Sequence, residues 1–178
     1  MTHDPEDLIT IFNRLFDISE QTVLVRGGDE PIYLPAWHTG YRCEIQFAHG
    51  FFASALHEIA HWCIAGRERR QLVDFGYWYE PDGRSQQQQS LFERVEVKPQ
   101  ALEWIFHRSC DHRFRISADN LSGEATDSSV FKQNVIQQVH TYLLEGLPSR
   151  AALFRDALQD FYKTSDLSPK DFSLLKLG

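Results

Sequence analysis

Residues 53–66 read ASALHEIAHWCIAG, and how this stretch is taken decides the rest of the fold. His57, Glu58 and His61 form an H-E-x-x-H pattern on a predicted helix. Each helical residue advances about 100°, so His57 and His61 stand roughly 40° apart and one turn displaced, and both imidazoles reach one metal ion from the same face. Ala55, Leu56, Ile59, Ala60, Ile64 and Ala65 supply the packing surface, Gly66 is placed to end the helix, and Arg67, Arg69 and Arg70 follow its negative pole. Five residues of pattern can arise by chance. The apolar setting carries the reading, because burying two histidines and a glutamate costs free energy that a bound metal offsets.

Upstream, residues 44–47 read as a strand running straight into this helix through His49-Gly50, with His49 taken as structural. Residues 22–25 are β-branched and extended, and Gly27-Gly28-Asp29, Pro31 and Pro35 bracket further short extended pieces. Asp4-Pro5 is an N-cap and N1 pair, and Leu8, Ile9, Phe12, Leu15 and Phe16 predict an amphipathic helix ending near Ile18.

Downstream, residues 72–79 (LVDFGYWY) read as aromatic-rich extended chain before a turn at Pro81-Asp82-Gly83, and the glutamines at 86–89 as a mobile loop. Ser90 and Glu93 match a capping box, which predicts a helix from Leu91 to about Arg108 with Pro99 kinking it close to Glu96. Glu93, Glu96, Gln100, Glu103 and His107 fall on one stripe of that helix. Such a stripe is either a solvated face or a face turned to the metal helix, and in the second case Glu96 completes the site. A strand at 114–117, helices at 130–144 and 151–162, and a last turn at Ser168-Pro169 complete the reading, with His140 taken as structural. The fold class is α+β, a mainly helical single domain over residues 1–178 with a small sheet beside the metal helix.

Composition bounds the function. In 178 residues, a 42% hydrophobic and 13% aromatic content provides a substantial core. A net charge of -7 argues against a broad nucleic-acid surface and favours a cationic substrate or basic partner. Cys43, Cys63 and Cys110 lack C-x-x-C spacing, so neither a disulfide framework nor a thiolate zinc site is indicated. The opening residues carry no basic and apolar leader, and no run has the length of a membrane span; a cytoplasmic location is expected.

Two histidines and a carboxylate serve two chemistries. With zinc they hold a water whose proton Glu58 takes during peptide hydrolysis; with ferrous iron they leave positions for oxygen. Spacing does not choose between them, and H-E-x-x-H taken alone favours a zinc metallopeptidase or amidase.

Four longer words are more specific: GGDEPIYLPA at 27–36, FAHGFFASALHEIAHWCIAG at 47–66, LVDFGYWYEPDGR at 72–84 and FERVEVKPQALEW at 92–104. Together and in this order they resemble the elongation factor P hydroxylase family of bacteria. The resemblance implies hydroxylation of the elongation factor P lysine that already carries a β-lysyl group, with Fe(II) and O2 expected and an unidentified reductant. It implies His57, His61 and Glu96 as metal ligands, Glu58 as a catalytic residue beside them, and a core similar to that of zincin metallopeptidases. Asp74, Tyr77, Glu80 and Asp82 in the aromatic segment are the expected substrate-binding residues, the acidic ones suited to the cationic β-lysyl-lysine. No H-x-D or H-x-E triplet occurs, so the ligand set of jelly-roll 2-oxoglutarate oxygenases is absent.

Overall fold

The structure is a computed structural model that describes residues 2–76, 83–117 and 128–177. Helix α1 (Pro5–Phe16) begins where the Asp4 carboxylate accepts the Glu6 amide at 3.0 Å, and it buries Leu8, Ile11, Phe12 and Phe16. Strands β1 (Thr22–Arg26) and β2 (Ile32–Leu34) follow, then a single turn α2 (Ala36–Thr39) and β3 (Cys43–Phe47). β3 lies in the centre, parallel to β1 and antiparallel to β2, with Ile45 opposite both Leu24 and Tyr33. Alternate residues Thr22, Leu24, Tyr33, Ile45 and Phe47 are buried, which turns one face of the sheet onto α1 and the next helix. On β1, the Asn13 side chain accepts the Leu24 amide at 2.7 Å and donates to the Leu24 carbonyl at 3.3 Å, pairing that residue as a strand would.

From β3 a tight turn, Ala48–Gly50, leads into α3 (Phe52–Ile64), the helix that carries H-E-x-x-H. Gly50 sits at φ 66, and a side chain there would run into the Arg26 guanidinium. The far end falls where expected, with Ala65 as C-cap and Gly66 after it, although Gly66 is not left-handed. The terminal carbonyls are met instead by guanidinium groups. Arg150 donates to Trp62, Cys63 and Ala65 at 2.9, 3.2 and 2.8 Å, and Arg70 donates to Ala65 at 3.3 Å.

The stretch expected to be extended at 72–79 is, over its described part, a 3-10 turn, Val73–Gly76. Asp74 and Phe75 stand at φ 48 and 57, held by the Asp74 bond to the Tyr33 amide at 2.8 Å and by Arg69 donating to the Phe75 carbonyl at 2.9 Å. Residues 77–79, including Tyr77, lie outside the described residues.

Helix α4 (Gln86–Ser109) starts five residues before the expected Leu91, so the supposed glutamine loop is its first turn. The capping box is Ser85 with Gln88, and Ser90 donates its hydroxyl to the Gln86 carbonyl instead. The helix runs through Pro99 as one element. No strand forms at 114–117. There the Gln100 side chain pairs with Ser117, accepting its amide at 3.0 Å and donating to its carbonyl at 2.6 Å, while Phe114 stacks on Trp104.

Helices α5 (Ser129–Glu145) and α6 (Ser149–Tyr162) pack on α4, and a turn at Pro169–Asp171 is capped by Ser168 and Asp171. The described residues thus form six helices and one three-stranded sheet, an α+β and mainly helical fold. Among them no helix is long and apolar enough to cross a membrane.

Candidate metal centre

α3 and α4 pack side by side, and beyond Glu93 the polar stripe of α4 is turned inward rather than to solvent; Glu93 itself is half-buried, accepts from Gln89 at 3.0 Å and lines a groove between α4 and α5. Glu96, Gln100, Glu103 and His107 are all buried. The 4-3-4 spacing keeps them on one face over three turns.

Three of these elements' side chains converge. His57 Nε2 and His61 Nε2 are 3.1 Å apart, His61 Nε2 is 3.2 Å from Glu96 Oε1, and His57 Nε2 is 3.7 Å from Glu96 Oε2. Donors about 2.0–2.1 Å from a first-row ion at tetrahedral or octahedral angles stand about 2.8–3.4 Å from one another, close to the span of the cluster. Glu96 Oε1 is buried without a hydrogen bond, while Oε2 accepts from Gln100 at 3.3 Å. A carboxylate with one oxygen lacking a donor, and with an imidazole nitrogen beside each oxygen, is suited to a shared cation. Side-chain exposure is 24% for His57 but 1% for Glu96, so the cluster is open on the His57 side.

The charges agree with this. Burial alone would raise the Glu96 carboxyl, yet the imidazoles of His61 and His57 and the Gln100 amide outweigh it and push its pKa down to about 2. Burial disfavours a charged His57, yet the carboxylates of Glu103, Glu96 and Glu58 push it up to about 10. The acidic oxygens therefore demand a positive charge here, either a proton on His57 or a cation.

Glu58, next to His57 on α3, has its carboxyl raised by burial, with the Glu96 and Asp74 carboxylates adding to the shift and the two histidines opposing it. Asp74 stands within electrostatic reach of Glu58 and His61, its carboxyl also raised by burial. The other expected substrate-binding residues, Tyr77, Glu80 and Asp82, lie outside the described residues. Arg70, just beyond α3, is engaged by Glu20 at 3.4 Å and by the Ala65 carbonyl at the end of that helix.

Glu103, one member of the polar stripe, accepts a hydrogen bond from His57 Nδ1 at 2.8 Å. Its spacing of seven residues from Glu96, two helical turns, was the available signal. A groove of about 550 Å³ between α4 and α5, lined in part by Arg94, Lys98 and Gln138, shares no residue with the cluster.

Comparison with known proteins gives a consistent family. The sequence matches the family described as elongation factor P hydroxylase over residues 11–172. It is also 57% identical, over 166 residues covering 93% of each chain, to a Haemophilus influenzae protein named elongation factor P lysine hydroxylase.

Proposed function

The chain belongs to the elongation factor P hydroxylase family, and from that premise we infer that it is a hydroxylase acting on a lysine of elongation factor P. The observation that carries this is the family match along residues 11–172. In finer detail, the substrate lysine carries the β-lysyl group, and residues 1–178 act as one catalytic domain with a zincin-like core in the cytoplasm. The zinc peptidase reading of the motif gives way to this one.

His57, His61 and Glu96 would hold the metal, expected to be Fe(II). Iron supplies a change of valence for activating O2, which zinc lacks, and an external reductant is required. Glu96 contributes the anionic ligand from a fully buried position, while the more exposed His57 marks the side from which substrate arrives. Glu58, with its carboxyl raised, is suited to holding and passing a proton beside the reacting carbon. Asp74 has one oxygen fixed to the Tyr33 amide and offers the other to the substrate ammonium. Tyr77, Glu80 and Asp82, next along the chain, are assigned to the same substrate.

The decisive experiment is the intact mass of β-lysylated elongation factor P after incubation with this protein, Fe(II), O2 and a reductant. A gain of one oxygen atom that requires O2 is expected. An unchanged mass, together with peptide hydrolysis by the zinc-loaded protein, would overturn the hydroxylase reading.

A further inference from the structure

We propose that Glu103, backed by His107 and His112, is a positioning residue that fixes the hydrogen and the plane of the His57 imidazole, so that Nε2 is presented bare to the metal. This rests on the metal site proposed above and extends it by three turns of α4, from Glu96 to His107, and the residues that follow.

A carboxylate only accepts, so the His57 Nδ1 that lies 2.8 Å from Glu103 Oε2 must carry the hydrogen. In the neutral ring the opposite nitrogen is then bare. That nitrogen is the one facing His61 and Glu96. Glu103 thus sits on the wrong edge of the ring to be a ligand and on the right edge to orient one, as partners of metal-bound histidines commonly do.

Glu103 has a second neighbour. His107, buried like it, faces the other oxygen, Glu103 Oε1, with Nε2 at 3.4 Å, an ion-pair distance rather than a hydrogen bond. On its far edge His107 Nδ1 lies 2.8 Å from His112 Nδ1, and the His112 amide donates to the His107 carbonyl at 2.8 Å, folding the chain after α4 back onto the ring. His112 in turn meets the ring of His3, whose Nε2 bonds the Cys110 carbonyl at 2.7 Å. The series runs His57, Glu103, His107, His112, each in contact with the next. The asymmetry between the two histidines explains its place, because His61 is nearly enclosed while His57 is the more exposed ring and the freer to turn.

The test uses the full-length protein, Co(II) uptake followed by visible absorption, and the imidazole ¹H–¹⁵N spectrum of the Zn(II)-loaded form, in which the His57 Nδ1–H is seen directly. Glu103→Ala should weaken Co(II) binding by about 10- to 100-fold and shift or abolish that resonance, and Glu103→Gln, which keeps an acceptor, should restore most of both. His107→Phe should act in the same direction by about 3- to 10-fold, one contact further out. Thermal melting of the metal-free variants separates bracing from positioning. Variants that melt lower but bind Co(II) within about twofold of the wild type, with an unmoved His57 resonance, would overturn the proposal. Should Glu103→Ala not fold, His107→Phe carries both readings. A wild-type protein that takes up no Co(II) sinks the metal site itself, a different result from intact binding that Glu103 does not influence.

Discussion

Helix α3 turns two faces to its neighbours, and they are built on different physics. On one, Trp62 packs its ring 5.0 Å from Phe12 and 4.9 Å from Phe16, with Phe154 of α6 closing the cluster from the other side of Phe12. On the other, one turn away, His57 and His61 meet Glu96 and Glu103. The first face gains free energy from area removed from water. The second buries ionisable groups whose attraction roughly repays their desolvation, and which become costly once one partner is removed. One face holds the helix, and the other is the face on which a ligand would act.

The largest expected effect would come from breaking the polar face. Glu96→Ala, like His57→Ala and His61→Ala, should abolish measurable metal retention and lower hydroxylation by well over the ~10–100-fold that loss of an outer partner costs. Metal analysis of purified variants checks this; a Glu96→Ala protein with full metal would move the third ligand to another residue.

Breaking the apolar face should do the converse. Trp62→Ala should cost about 3–5 kcal/mol in denaturant unfolding, while the folded fraction still binds one metal. Loss of metal from a folded Trp62→Ala protein would show that the two faces are not separable.

Within the polar face, Glu58→Gln tests proton handling without removing a ligand. Turnover should fall on the order of ten- to a hundredfold with metal retained. A fall of many powers of ten would mean that Glu58 is an essential base, as in a hydrolase.

The pH dependence is the sharpest in sign. In metal-free protein the His57 pKa is raised from 6.5 to about 10, so its contribution to stability is complete below about pH 6.5 and is lost as pH rises through about 10. Metal must displace that proton, so affinity should climb about tenfold per pH unit across this window, and the stability gap between loaded and chelated protein should widen with pH. Calorimetry in buffers of different ionisation enthalpy reads the released proton directly. A pH-independent affinity between pH 6.5 and 9 would contradict it.

Much of this was legible in local spacing, because His57 and His61 share a helix and their juxtaposition follows from helical geometry alone. What failed was decided at a distance. Ser85-Gln88 and Ser90-Glu93 both satisfy the capping pattern, and the earlier one is used where Arg84 is buried over the Phe92 ring and bonds Gln89, folding the first turn inward. Left-handed Asp74 and Phe75 carry no local signature, since neither is glycine; their conformation accompanies bonds to Tyr33 and Arg69 elsewhere in the chain. Glu103 was visible only as part of a polar stripe, and whether a stripe meets water or another helix is a question of packing.

The guanidinium that closes the end of α3 belongs to Arg150, more than eighty residues beyond the carbonyls it satisfies. During synthesis His57, His61 and Glu96 all emerge well before that residue does. Until α6 docks, the end of α3 has only Arg70 on its Ala65 carbonyl, and the Trp62 and Cys63 carbonyls wait for Arg150. Long-range contacts of this kind close late and slow folding. A chain without α6 already contains every candidate ligand yet lacks this clamp on the helix that carries two of them.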